Sequence, residues 1–246
     1  MKMAFPHFKK KHMEKAMFNP KDYIKYKKFP SNLPKKYIIT YQDRALKYIQ
    51  KKYKPKKIEL YSLLTVYVYK DIGFVRMTGI GAPNAATIFE ELIALGGRKF
   101  VNIGTAGGLH HEGVFLCNKA LRDEGTSHHY IQFGKYSYPD KILTAKLKKK
   151  LKNSKLEFFE GTTWTIDAPY RETKAEVEKY ARQEIKTVEM EASALFAVAK
   201  YRKVKIASVF IVSDLLGKKW IPKFHRFDVK KTQNKLIDIG VELLRN

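Results

Sequence analysis

Two glycine-rich segments on either side of one helix-length stretch restrict the fold more than any other feature of the chain. Gly79-Ile80-Gly81-Ala82-Pro83 precedes Asn84 to Leu95, where Ile88, Leu92 and Leu95 recur at helical spacing before Gly96-Gly97 ends the stretch. Phe100-Val101-Asn102-Ile103 then reads as a strand running into Gly104-Thr105-Ala106-Gly107-Gly108. Strand, glycine loop, helix, strand, glycine loop is the order of an α/β fold that takes ligands at its strand ends. The 246 residues, 44% of them hydrophobic, are enough for one large domain with a full core.

The flanking chain fits this order. Tyr37 to Thr40 reads as a short strand and Arg44 to Lys54 as a helix that Pro55 ends. Leu60 to Tyr69 reads as a strand that Asp71-Ile72-Gly73 turns back into Phe74 to Met77. Lys146 to Lys155, interleaved with Leu147, Leu151 and Leu156, reads as a solvated helix with one apolar stripe. A helix from about Glu191 to Tyr201 leads to a buried strand, Lys205 to Val212, which ends at Ser213-Asp214, and a last helix runs from Thr232 to Leu244. Residues 1–34, rich in Lys and broken by Pro6, Pro20, Pro30 and Pro34, read as a surface arm.

The 49 Lys and Arg against 24 Asp and Glu leave a formal charge of +25, a field that attracts polyanions. Of these cations, 18 lie in the first 60 residues against four acids, so the excess belongs mainly to the arm and the Lys-rich helix. Neither a zinc-finger spacing nor an RNA-binding aromatic signature is present, and nucleic acid is not expected as a partner. The single cysteine, Cys117, rules out a disulfide framework and points to the cytoplasm. No apolar run approaches the roughly 20 residues of a membrane helix, so no membrane partner is expected. The pairs His110-His111 and His128-His129 match no zinc spacing, and no metal is expected.

The residues that could carry chemistry sit at the strand ends. Glycines 79, 81, 104, 107 and 108 lack Cβ atoms, so their N–H groups can approach an anion, and Thr105 adds a hydroxyl; the same glycines could equally serve only to turn the chain. Neither segment is a nucleotide motif, since Gly-Lys-Ser/Thr and the third glycine of a dinucleotide site are both missing. Glu189 and Glu191 lie at the start of an apolar helix, where they could simply favour its N-terminus. Asp214, after an apolar strand, is costly unless paired or functional. Together these acids could bind hydroxyls and transfer a proton.

In order along the chain, Gly79-Ile80-Gly81-Ala82-Pro83-Asn84-Ala85-Ala86, Asn102-Ile103-Gly104-Thr105-Ala106-Gly107-Gly108-Leu109, Gly161-Thr162-Thr163-Trp164-Thr165-Ile166-Asp167-Ala168-Pro169-Tyr170, Val188-Glu189-Met190-Glu191-Ala192 and Ser213-Asp214 resemble the trimeric and hexameric nucleoside phosphorylases. The resemblance covers about residues 36–245. It implies a three-layer α/β/α sandwich around a mixed, barrel-like sheet, with a basic arm over residues 1–35 and the phosphorylase-like catalytic domain over 36–246. It also implies a pentosyltransferase acting on nucleoside and inorganic phosphate without a further cofactor, in a dimer-based homo-oligomer, a hexamer, whose sites are completed by a neighbouring subunit.

Carried over by position, Glu191 is the carboxylate for the ribose hydroxyls, Met190 packs under the sugar and Glu189 supports them. Thr105 with the backbone at Gly104 and Gly79, and Arg44, would hold phosphate. Asp214 would protonate N7 of a purine. Trp164 or Tyr170 would stack on the base, Arg171 would read its edge, and His7 would reach a ribose 5′-hydroxyl across the dimer. Two departures keep alternatives open. Asn102 stands where phosphorylases carry Arg and is similar to the hydrolytic nucleosidases, AMP nucleosidase among them. The base loop has Pro169 for the usual stacking Phe and lacks the uracil-reading Gln. Purine phosphorolysis is the leading expectation. Uridine phosphorolysis, hydrolysis and a non-catalytic nucleotide- or RNA-binding member are the others.

Overall fold

Tyr37, Ile38 and Ile39 are wholly buried, which puts Lys36–Thr40 (β1) inside the sheet rather than at its edge. The computed structural model describes residues 6–8, 10–30, 32–217 and 219–245. Ahead of β1, Pro20–Tyr26 (α1) begins with a reciprocal cap: the Asn19 side chain accepts the Lys21 N–H, and Asp22 accepts the N–H of Asn19. Ile24, Phe29 and Leu33 fasten this part of the arm to the core. After β1 come Asp43–Tyr53 (α2), Lys56–Tyr61 (β2), Leu64–Tyr69 (β3), Ile72–Arg76 (β4), Ala82–Ala94 (α3) and Lys99–Gly108 (β5). The chain continues through Val114–Asp123 (β6), Tyr136–Ser137 (β7), Lys141–Asn153 (α4), Phe158–Ile166 (β8), Lys174–Arg182 (α5), Ile185–Glu189 (β9) and Ala192–Arg202 (α6). Lys205–Leu216 (β10), Trp220–Pro222 (β11) and Phe227–Arg245 (α7) complete it.

The sheet order is β11-β10-β6-β8-β9-β5-β1-β4-β3-β2, and β10 also pairs with β5. That extra pairing closes β5, β10, β6, β8 and β9 into a five-stranded ring from which β1, β4, β3 and β2 extend as a wing. The sheet is mixed: β1 lies parallel to β4 and β5, whereas β6 runs antiparallel to β10. Strand period two separates the helical layers. Ile39 packs with Phe89 of α3 and Phe196 of α6, and its neighbour Ile38 packs with Ile49 of α2, Leu147 of α4 and Leu236 of α7. This is the expected three-layer arrangement. On α4, Leu143, Leu147 and Leu151 are buried, one per turn, under a Lys-rich outer face. Among the described residues no helix is long and apolar enough to cross a membrane.

Two local readings change. Leu60 to Tyr69 is not one strand: β2 and β3 form a hairpin around Ser62-Leu63, with Tyr61 opposite Leu64. A turn without Gly or Pro inside a continuous apolar and aromatic run leaves no local signal. Gly104 to Gly108 is not a loop either but the end of β5, paired to β10 along its length. There the glycines permit close approach where the ring closes. A Cβ at Gly107 would lie 2.3 Å from Leu216 Cδ1 and 3.0 Å from Val188 Cγ1; one at Gly108 would lie 2.6 Å from the His111 carbonyl oxygen. Gly108→Ala is therefore expected to cost about 1–3 kcal/mol of stability in urea denaturation, because backbone must give way.

Candidate active site

A cavity of about 210 Å³ opens at the carboxyl ends of β5, β9 and β10. Thr105, Ala106 and Gly107 line it from β5, Val188 to Glu191 from the β9–α6 junction, and Ser213, Asp214 and Leu216 from β10. Tyr41 and Gln42 close it from behind β1, with Ile80, Pro169, Glu172 and Phe224 around the mouth.

The two glutamates divide their work through the start of α6. Glu189 Oε2 accepts the N–H groups of Glu191 and Ala192 at 2.8 and 2.7 Å, and its Oε1 accepts the Thr165 hydroxyl at 2.5 Å. It caps the helix and fixes the backbone from which Glu191 projects. Glu191 accepts the Gly81 N–H on Oε1 at 2.7 Å, so the first glycine segment reaches the site as a clamp on this carboxylate. Gly81 does so at φ +94°, a conformation that favours glycine. Burial raises the carboxyl pKa of Glu189, and burial with the nearby Glu189 charge raises that of Glu191. A carboxylate so poorly solvated gains most from hydroxyl donors and from nearby positive charge.

Asp214 owes its orientation to a bulge. The register between β10 and β5 slips between Val212 and Asp214, which leaves Ser213 as the extra residue and re-aims its neighbour. The Ser213 hydroxyl donates to Asp214 Oδ1 and the Trp220 indole N–H to Oδ2, both at 2.9 Å. Glu172 lines the same cavity; burial, and then the charge of Asp214, push its carboxyl up to about 7.

Of the residues singled out from sequence, Thr105, Glu189, Met190, Glu191 and Asp214 meet in this cavity. The others lie elsewhere. Gly104 is a β5 residue under the Tyr41 ring, 3.3 Å from where its Cβ would be, and Gly79 is exposed with its carbonyl accepting from Asn84. Arg44 donates its Nε–H to Gln233 Oε1 at 2.8 Å and a terminal N–H to the Phe224 carbonyl. Trp164 is wholly buried, its indole bound to Asp123 and its ring against Tyr180. Tyr170 is 99% exposed and Arg171 is exposed, while Pro169 and Glu172 beside them line the cavity. His7 is exposed on the arm. Asn102 is wholly buried, accepting from Tyr41 and donating to Ser208.

Ile80 and Ser213 entered only as motif neighbours, and Tyr41, Gln42, Glu172 and Phe224 were not singled out as site residues by sequence. Only Gln42, two places before Arg44 in the loop after β1, carries any positional hint. Between β11 and α7, Lys223 and Arg226 both pair with Glu112. Among the described residues no Lys or Arg lines the cavity, whereas four carboxyl groups do.

Fold and site together define an α/β protein with a partly closed mixed sheet and a carboxylate-rich cavity at the strand ends. Residues 41–245 match the family model described as the phosphorylase superfamily, and the chain belongs to that family. It is 29% identical over 149 residues to a purine nucleoside phosphorylase of Plasmodium vivax (58% of this chain, 60% of the relative). It is 32% identical over 153 residues to a uridine phosphorylase of Treponema pallidum (56% and 59%). The matched stretch thus spans about three-fifths of the length of these curated relatives. Among solved structures, AMP nucleosidase of Bacteroides thetaiotaomicron superposes with a TM-score of 0.78 at 18% identity, over 93% of this chain and 97% of that one, a likeness of fold.

Proposed function

We propose that the protein cleaves the N-glycosidic bond of ribonucleosides with inorganic phosphate, giving free base and ribose 1-phosphate, with purine nucleosides preferred to uridine. The observation that carries this is the convergence on one cavity of a hydroxyl-binding carboxylate held by the α6 cap, Glu191, and an acid aimed by the β10 bulge, Asp214. Glu191 takes the ribose hydroxyls and Met190 the sugar face. As the C1′–N bond lengthens, positive charge grows on the sugar beside Glu191, and a phosphate oxygen near Thr105 adds to C1′. The electron pair of the broken bond goes to the base, which takes a proton from the Asp214–Glu172 pair. A purine offers N7 for that proton and uracil does not, hence the preference. The relatives' names as purine nucleoside and uridine phosphorylases support the class. The protein is read as a dimer-based homo-oligomer, a hexamer, in the cytoplasm.

Hydrolysis is the second reading, favoured by the lack of a lining cation among the described residues and by the sequestered Asn102. Base release from inosine, guanosine, adenosine, uridine and AMP, with and without phosphate, separates the readings. Phosphorolysis requires phosphate and yields ribose 1-phosphate; release without phosphate moves the protein to the hydrolases, and no release at all leaves a binding protein.

Glu172 sets a pH dependence. With its carboxyl pushed up to about 7, it holds a proton below that pH and loses it above. The kcat/KM for inosine, which reports ionisations of the free protein, is expected to fall about tenfold per unit as pH rises beyond about 7. In Glu172→Gln this limb should disappear; a limb left in place assigns it to another group.

A further inference from the structure

The proposed reaction brings phosphate to a cavity that no described cation lines, and yet Arg44 ends one hydrogen-bonded chain that reaches it. We propose that Gln42 and Gln233 are positioning residues that hold the Thr105 hydroxyl as a donor to inorganic phosphate, carrying the polarity of Arg44 into the site. The inference rests on the phosphorolytic reading above.

The direction of the chain follows from donor chemistry. An arginine Nε–H can only donate, so Gln233, wholly buried on α7, must turn its Oε1 to Arg44, at 2.8 Å. Its Nε2 then faces Gln42 and donates to Gln42 Oε1. That in turn commits the Gln42 amide nitrogen to Thr105 Oγ1, at 3.0 Å. The Thr105 oxygen is thus an acceptor toward Gln42, and its own proton is free to point into the cavity that the residue lines. Gln42 also lines the cavity. Each link polarises the next, so a guanidinium outside the cavity strengthens donors inside it.

Gln42 stands at the N-cap position of α2 but does not spend its side chain on the helix. Its amide is tied up by Thr105 and Gln233 instead. No stretch of sequence announces the arrangement, because Arg44 and Gln233 are 189 residues apart.

Isothermal titration of the purified protein with inorganic phosphate, and separately with inosine, tests the relay alongside KM for each substrate. Gln233→Glu keeps a partner for Arg44 but has no N–H for Gln42, which is then free to flip and take the Thr105 proton. Gln233→Met removes both links. Both variants are expected to weaken phosphate about tenfold or more while inosine affinity changes less than about threefold. Thermal melts establish folding; should Gln233→Met fail to fold, Gln233→Glu and the part-exposed Gln42→Leu carry the test with the same expectation. Unchanged phosphate affinity in the variants, or equal weakening of phosphate and inosine, overturns the relay alone. A wild-type protein that binds no phosphate overturns the relay and the phosphorolytic reading together. If it binds phosphate but releases base without it, phosphorolysis falls and the relay is still decided by the binding ratios.

Discussion

Asp214→Asn is expected to lower kcat for inosine and guanosine by about 10²–10⁴-fold, with little change in KM, as befits the loss of a proton donor that acts only as the bond breaks. The substitution keeps the shape of the side chain. Asn can still accept from either the Ser213 hydroxyl or the Trp220 indole, each of which now donates to the carboxylate at 2.9 Å. What it cannot do is pass a proton to N7. Two comparisons make the result specific. Uridine turnover should fall much less, because uracil has no N7. A 7-methylated guanosine, whose imidazole ring is already positive, should be cleaved almost as fast by the variant as by the wild type. Full activity of the variant on inosine would remove Asp214 from the mechanism.

Glu191→Gln is expected to lower kcat/KM by about 10²–10³-fold on every nucleoside, irrespective of the base. The amide oxygen can still accept the Gly81 N–H that now holds Oε1 at 2.7 Å, so the loop before α3 keeps its anchor. The change removes negative charge next to the sugar. Burial raises the carboxyl pKa of both Glu191 and Glu189, and the Glu189 charge raises that of Glu191 further, so the Glu191 charge is expensive in the free enzyme and is repaid as the sugar becomes cationic. Nucleoside binding in the ground state should change less than turnover does. A variant within threefold of wild type would place the sugar elsewhere.

Three of the four acids of the site were legible in sequence, because a charge at the end of an apolar strand or at the head of an apolar helix is costly without a reason; Glu172, in a turn, was not. Glu189, Glu191 and Asp214 stood out on that ground, and Thr105 by its place in a glycine run. Trp164, Tyr170 and Arg171 were read as base contacts from their place in the chain. Whether a side chain faces a cavity, a core or solvent is set by the pleat and by what packs opposite. Trp164 turns inward to Asp123 and Tyr180, and Pro169 and Glu172 take the cavity side of the turn that bears Tyr170 and Arg171. Arg44 was recognisable as a cation near an anion site, but its partner Gln233 lies on the last helix and left no local trace.

The sequence by itself determined the α/β class, the family and three of the four lining acids, since hydrophobic period, glycine placement and costly charges are properties of a short stretch of chain. Tertiary structure decided that the second glycine run is strand, that β10 closes a ring on β5, that Asn102 is sequestered under Tyr41, and that positive polarity reaches Thr105 through two glutamines. Each of these depends on which distant backbone or side chain lies opposite, and pairing across the fold is set by packing rather than by neighbouring residues.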